Sequence, residues 1–222
     1  MIKKSNRSIA DSRVWIQADG SDLCGDLVVP ELATGLVLFA HGSGSSRLSP
    51  RNRHVAEVLS AAGLATLLID LLTPEEEQFD RNTARLRFNI EMLGDRLVQI
   101  IDWLVVSDET EGLKIGLFGA STGAAAAIVA ATRRDKWVKA VVSRGGRPDL
   151  AAGAIAELQV PTLLIVGSED LQVLELNRQA LELMPCAKEL AVIPNATHLF
   201  EEPGTLEQVA VLARTWFSKY LR

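Results

Sequence analysis

Cysteine is scarce: Cys24 and Cys186 are the only two in 222 residues, far apart and without a C-x-x-C pair or repeated spacing. That speaks against a disulfide framework and a cysteine-based metal site, and predicts two buried free thiols in a reducing, cytoplasmic setting. Long hydrophobic runs are also missing. No segment approaches the roughly eighteen uninterrupted apolar residues of a membrane helix. The basic start, Met1 to Ser8, leads into Ile9-Ala10-Asp11-Ser12-Arg13 instead of the apolar stretch of a signal peptide. Positive charge is in deficit, with 23 Lys and Arg against 28 Asp and Glu and a net charge of -5, which argues against a nucleic-acid partner. No Pro/Gly/Ser linker, internal repeat or low-complexity tract divides the chain, so one domain over residues 1–222 without a cap or lid domain is expected.

What is present is 48% hydrophobic residues and 23% charged, ordinary for a globular fold. Val14 to Gln17 and Leu23 to Val29 flank the polar turn Ala18 to Asp22 and read as an antiparallel hairpin. Short apolar runs follow at Leu36 to Ala40, Ala65 to Ile69, Ile115 to Phe118, Ala140 to Val142, Thr162 to Val166 and Leu190 to Ile193. They are too brief for most helices and apolar on both faces, as strands covered on two sides must be. Helical stretches alternate with them, at roughly 53–62, 83–106, 122–133, 149–157, 173–184 and 205–221. Parallel neighbours need crossover helices. The pattern therefore predicts an α/β fold: a doubly wound, mostly parallel eight-stranded sheet with an antiparallel N-terminal hairpin. Function in such sheets collects at the carboxyl ends of the strands.

Gly119-Ala120-Ser121-Thr122-Gly123 lies at such an end, between the apolar run Lys114 to Phe118 and the Ala-rich run Thr122 to Thr132. Chance would produce G-x-S-x-G about 0.07 times in a chain with this glycine and serine content. A turn whose serine only caps a helix is therefore the weaker reading. A sharp strand-to-helix turn would strain the serine backbone, require glycine at its flanks, and present the Ser121 hydroxyl above a helix N-terminus.

A serine hydroxyl needs a base, and only three histidines exist. His54 falls in a predicted surface helix, and His41 begins a glycine turn whose backbone is more useful than its imidazole. His198, in the loop Pro194 to His198 after the last strand, is left as the general base. Glu169 and Asp170 both follow the seventh strand, and the Gly-x-x-Asp spacing from Gly167 favours Asp170 as the orienting carboxylate. An N-cap role for Asp170 is compatible with that. The turn His41-Gly42-Ser43-Gly44-Ser45-Ser46 can aim backbone N–H groups at a carbonyl oxygen, with Ser43 and Thr122 as donors and Gly44 as substitute for Ser43. Neither phosphate-loop nor dinucleotide glycine spacing occurs there, and no cofactor or metal is expected.

Arg144 and Arg147 follow the sixth strand, and with Arg47, Arg51 and Arg53 they could make a positive mouth for a carboxylate or phosphate on the substrate. The acidic run Thr73 to Asn82 reads as a solvated loop or first helical turn, with Phe79 and Phe88 as a potential flap. Exposed edge strands or Trp216 could support a homodimer, and a monomer is equally compatible.

The elbow Gly119 to Gly123, the acid Asp170, the base His198 and the His41-Gly42 turn, in that fold order, resemble the α/β-hydrolase family over nearly the whole chain. Within it the short, lidless form and the His-Gly-Ser-Gly turn are most similar to the dienelactone-hydrolase-like branch. Dienelactone hydrolases proper carry a cysteine nucleophile where this chain has Ser121. The resemblance implies a cofactor-independent serine hydrolase of carboxylic esters or thioesters of small acids. An acyltransferase or peptidase on the same residues, or a ligand-binding protein with little turnover, are the alternatives.

Overall fold

A computed structural model describes residues 10–222 apart from residue 152. Its strands are β1 (Ala10–Ala18), β2 (Ser21–Val29), β3 (Gly35–Ala40), β4 (Ala65–Ile69), β5 (Lys114–Ala120), β6 (Val138–Arg144), β7 (Thr162–Gly167) and β8 (Lys188–Ile193). They form one sheet in the order β1-β2-β4-β3-β5-β6-β7-β8. β1 pairs with β2, and β2 with β4, antiparallel, while every other pairing is parallel. The expected fold is the observed one.

The apolar runs look continuous because both faces of the sheet are covered. Successive side chains of a strand point to opposite faces. In β3, Leu36, Leu38 and Ala40 join the core built with α3 (Ile90–Val106) and α4 (Thr122–Arg133). Val37 and Phe39 join the core on the other face, built with α1 (Pro50–Ala61) and α7 (Thr205–Tyr220). Small residues set the spacing of the first layer: Ala124 to Ala127 are all buried, and a Cβ on Gly94 of α3 would lie 2.7 Å from a methyl of Val129 on α4.

Several local expectations change. The acidic run is a complete helix, α2 (Pro74–Thr83), started by a capping box in which Thr73 Oγ1 accepts from the Glu76 N–H and the Glu76 carboxylate accepts from the Thr73 N–H. Ala84, left-handed at φ 52°, ends it, so the stretch expected over 83–106 is a connector followed by α3. Asp80 folds that connector by accepting from the Leu86 N–H and the Arg87 Nε. Helix α1 starts at Pro50, capped by Ser49, and the stretch near 149–157 divides into a 3-10 turn (Pro148–Ala151) and the short α5 (Ala154–Glu157). Trp216 is buried against Tyr220 and cannot serve a dimer surface. Cys24 and Cys186 are half-buried, unpaired thiols. None of the helices among the described residues is long and apolar enough to cross a membrane.

Candidate active site

Ser121 joins β5 to α4 at φ 51°, ψ -120°, a positive φ that non-glycine residues rarely adopt. The surroundings impose it. The Ser121 N–H donates to the Arg144 carbonyl at 3.2 Å, and its carbonyl accepts from the Ala124 and Arg147 N–H groups at 3.1 Å each. A Cβ on Gly119 would lie 2.4 Å from Ala124 Cα, and one on Gly123 would lie 2.3 Å from the Ala40 carbonyl oxygen, so the two glycines permit a turn that no other residue fits. Ser121 occupies the N-cap position of α4 without capping it by its side chain, which sets aside the simple helix-cap reading and leaves the hydroxyl free.

His198 and Asp170 meet as the spacing predicts, with Nδ1 to Oδ2 at 2.6 Å. Asp170 stands at the N-cap position of α6 (Leu171–Leu183), yet its side chain does not cap that helix. Glu169 is exposed and accepts from its neighbour Ser168, so Asp170 is the carboxylate that meets the imidazole. The two loops are stitched together. The Ser168 N–H donates to the Ile193 carbonyl, the Glu169 N–H to the Ala196 carbonyl, and the Asn195 N–H to Ser168 Oγ. Glu202 then holds Thr197 through both its N–H and its hydroxyl. With Nδ1 donating to Asp170, Nε2 is the nitrogen left to accept a proton. Gly145, at φ 51°, brings the end of β6 against this ring: a Cβ there would lie 3.5 Å from both Cε1 and Nδ1 of His198. Since the preceding carbonyl, that of Arg144, holds the Ser121 N–H, the β6 terminus braces base and serine together.

The glycine turn lies on the other side of Ser121. A Cβ on Gly42 would be 3.1 Å from Ser121 Cβ. His41 is buried, its Nδ1 faces the Gly42 carbonyl at 3.0 Å, and its Nε2 accepts the Leu71 N–H at 3.0 Å. One neutral tautomer satisfies both bonds, and burial pushes the imidazole pKa down. The imidazole thus ties the turn to the end of β4. Asp70 adds a second tie, accepting from the Arg47 backbone N–H at 2.7 Å and its Nη1 at 2.6 Å. Thr122 opens α4, so its N–H has no partner within the helix. Thr122 and residues His41 to Ser45 line one cavity of about 170 Å³, closed by Leu71, Leu72, Glu77, Asp80, Arg81, Arg87 and Leu93. Ser43, Gly44 and Thr122 thus all border the same cavity.

The expected positive mouth is largely neutralised. Arg147 is held bidentately by Asp149, which raises its pKa through those hydrogen bonds. Arg47 pairs with Asp70 and Asp26, Arg53 with Asp26, and Arg51 with Glu201. Arg144 alone of these five has no carboxylate among the described residues. His54 is half-buried in α1, not on an open surface, and its Nε2 lacks a partner.

The sequence reading gave the α2 segment only a potential flap of Phe79 and Phe88; both rings are exposed and outside the cavity lining, where α2 instead places Glu77, Asp80 and Arg81. Its signal was present in Thr73-Pro74-Glu75-Glu76, a capping-box spacing with proline at the first helical position. The helix is anchored by Arg96, 1% exposed, whose guanidinium donates to Glu76 and to the Leu71 carbonyl. Nothing in the local pattern of α3 marks Arg96 as an inward-facing partner.

Comparisons with known proteins give the chain a family. The chain is 58% identical to a crystallographically solved dienelactone hydrolase from Anabaena variabilis, covering 96% of this chain and 99% of that one with a TM-score of 0.94. Est1E from Butyrivibrio proteoclasticus shares the fold at 17% identity and a TM-score of 0.78, covering 93% of this chain and 98% of that one. A Mycobacterium tuberculosis protein named putative phosphoribosyl transferase is 56% identical over 213 residues, which are 96% of this chain and 47% of that protein. The chain thus spans about half the length of the curated relatives it matches. The sequence pattern of the dienelactone hydrolase family matches residues 30–217. This chain belongs to the dienelactone hydrolase family.

Proposed function

We propose that the protein is a serine hydrolase that cleaves carboxylic esters or thioesters of small acids. The observation that carries this reading is the strained backbone of Ser121, held at φ 51° between β5 and α4 beside a His198–Asp170 pair at 2.6 Å. Backbone strain imposed on a serine with an uncommitted hydroxyl has no packing benefit to offset it. Ser121 Oγ attacks the substrate carbonyl as His198 Nε2 takes its proton, and Asp170 stabilises the imidazolium. The Ser43 and Thr122 N–H groups hold the oxyanion, with Gly44 able to replace Ser43. His198 returns the proton to the departing alcohol or thiol. Water, deprotonated by His198, then cleaves the acyl-Ser121 ester and releases the acid. A cavity of about 170 Å³ suits a small acyl group. No step calls on a cofactor or metal. The unpaired thiols fit a cytoplasmic protein acting on a small molecule as a monomer or homodimer.

The test is fluorophosphonate labelling read by intact mass, on wild type and Ser121→Ala, beside a panel of short-chain p-nitrophenyl esters. Labelling and turnover that both vanish in Ser121→Ala support the reading. A folded wild type that neither labels nor turns over any ester overturns it. Acyl transfer to added alcohols or amines in preference to water would move the assignment to a transferase.

A further inference from the structure

Asn177 is 0% exposed in the middle of α6, where asparagine is a poor residue on two counts. Its side chain competes with the helix backbone for hydrogen bonds, and its Oδ1 is buried without a partner among the described residues. The Nδ2 group spends both of its hydrogens. One goes to the Val173 carbonyl a turn earlier, at 2.7 Å, and the other to the Gly146 carbonyl, at 2.9 Å. The first bond is local to the helix. The second leaves α6 and crosses to the segment that follows β6.

The Gly146 carbonyl belongs to the peptide group whose N–H is that of Arg147, and this N–H donates to the Ser121 carbonyl at 3.1 Å. The Ser121 carbonyl belongs in turn to the peptide group whose N–H is that of Thr122, the amide that holds the oxyanion in the proposed reaction. A continuous chain therefore runs from Asn177 Nδ2 through two peptide groups to the Thr122 N–H, with every link pointing the same way. Hydrogen bonds aligned in series polarise one another, so a donor at one end makes the N–H at the other end a stronger donor. The Ala124 N–H donates to the same Ser121 carbonyl at 3.1 Å and acts in the same sense. The chain is also stiff. A Cβ on Gly146 would overlap Ser143 Oγ and lie 2.7 Å from Ala124 Cβ, so that peptide is wedged between β6 and α4. At the N-cap of α6, about two turns before Asn177, stands Asp170, which meets His198. One helix thus serves the imidazole from its N-terminus and the oxyanion amide from its middle.

We propose that Asn177 is a positioning residue for the oxyanion amide: its Nδ2 orients and polarises the Thr122 N–H through the Gly146–Arg147 and Ser121–Thr122 peptide groups. The inference rests on Thr122 being an oxyanion donor, and it adds to that site a residue that touches no substrate. Its effect falls on the transition state and hardly on the bound ester, because the carbonyl oxygen takes on negative charge only as Ser121 attacks. Loss of an oxyanion donor outright costs about 10²- to 10³-fold in kcat. Weakening one at a distance costs less, and about tenfold is expected.

The experiment compares 4-nitrophenyl acetate with its thionoester, in which sulfur replaces the carbonyl oxygen and accepts hydrogen bonds poorly. Values of kcat, KM and the oxo-to-thiono ratio of kcat/KM are read in wild type, Asn177→Leu, Asn177→Ala and Asn177→Asp, the last keeping the shape but losing the donor. Thr110→Val is the control, since the Thr110 hydroxyl makes a comparable buried bond, to the Leu104 carbonyl at 2.6 Å, in the loop before β5. On the acetate, kcat should fall about tenfold in each Asn177 variant with KM within about twofold of wild type. The ratio should fall with it, because the thionoester draws little on the amide in the first place. Thr110→Val should lower Tm and leave the ratio alone. In the free protein labelled with ¹⁵N-threonine, the Thr122 amide proton should move upfield in Asn177→Ala, the sign of a weaker donor. An unchanged kcat, or a fall that the two esters share, overturns the role in oxyanion binding, and a Thr122 amide that does not move overturns the polarised chain. Should Asn177→Leu fail to fold, Asn177→Ala, a better helix former, carries the comparison. If the Asn177 variants match wild type while Ser121 labels with fluorophosphonate, the hydrolase reading stands and only the role of Asn177 fails. If wild type neither labels nor turns over, the hydrolase reading fails, and the Thr122 amide shift alone decides whether Asn177 reaches that amide.

Discussion

Arg144→Met removes a charge that folding buries without a partner, so the variant should be more stable than wild type. The pKa of the guanidinium falls to about 10, first through burial and then through repulsion from Arg51. At about 1.36 kcal/mol per pKa unit, the depression corresponds to about 3 kcal/mol of penalty for keeping the group charged in the folded state. The sign is that of a base whose folded pKa lies below its unfolded one. The penalty is fully present at neutral pH and fades as pH rises through about 10, where the folded form sheds its proton. Methionine retains apolar contact with Phe200 and asks for no hydrogen bond. For a chain of this size about 3 kcal/mol corresponds to a rise in Tm of roughly 6 to 12 °C, an upper bound because the side chain also loses some packing. Thermal and urea unfolding at pH 7.5, in a buffer free of phosphate and carboxylate, would measure it, with Arg144→Lys as the variant that keeps the charge and should gain nothing. A Tm at or below that of wild type would refute the reasoning, because it would mean that the guanidinium has partners that stabilise it.

Three further outcomes follow from the same geometry. Asp170→Asn should leave Tm nearly unchanged while kcat on short-chain esters falls by about 10⁴-fold, since an amide cannot stabilise the imidazolium; a fall under tenfold would assign the 2.6 Å contact to structure. Gly123→Ala places a Cβ 2.3 Å from the Ala40 carbonyl oxygen and should cost about 3 kcal/mol or more in urea unfolding, or prevent folding, together with loss of Ser121 labelling. The Arg96 guanidinium holds the Glu76 carboxyl below the usual carboxylate range. Its contribution to stability is therefore present above the ordinary carboxylate pKa and lost as pH falls through the folded one. Glu76→Gln should lower Tm at pH 7 and flatten the acid limb of the Tm-against-pH curve below about pH 5.

The mostly parallel eight-stranded sheet, the turn at Ser121 and the meeting of His198 with Asp170 were legible because each depends on a local signal. Runs such as Leu36 to Ala40 reveal strands covered on both faces. Gly119 and Gly123 reveal a turn with no room for a Cβ, and Gly167-x-x-Asp170 with His198 places two loops at neighbouring strand ends. Helix α2 was legible in principle, through Thr73 and Glu76, but its acidic composition reads as solvated surface. The connector after Ala84 was not, because its fold depends on Asp80 reaching forward to Leu86 and Arg87. Such a contact carries no periodicity. Trp216 illustrates the same gap in reverse, since an aromatic near a terminus gives no sign of whether it faces out or, as here, against Tyr220 and the Pro161 carbonyl.

Arginine is the residue type for which sequence was least informative, and the reason bears on function. Seven positions, Arg47, Arg51, Arg53, Arg87, Arg96, Arg144 and Arg147, surround the strand ends, and charge counting treats them alike. In the fold, Arg47, Arg87 and Arg96 act as structural ties: Arg47 clamps the glycine turn to β4 through Asp70, Arg87 closes the α2 connector on Asp80, and Arg96 fixes α2 through Glu76. Each tie consumes a carboxylate near the glycine turn or α2, which makes that side of the cavity rigid. The His198 side is built otherwise, with Arg144 unmatched and Arg51 held by an exposed glutamate. A rigid, compensated wall selects by shape, whereas an uncompensated one selects by charge. The wall beside the glycine turn is thus tied down by three ion pairs, whereas the His198 side keeps a buried guanidinium that no carboxylate meets among the described residues.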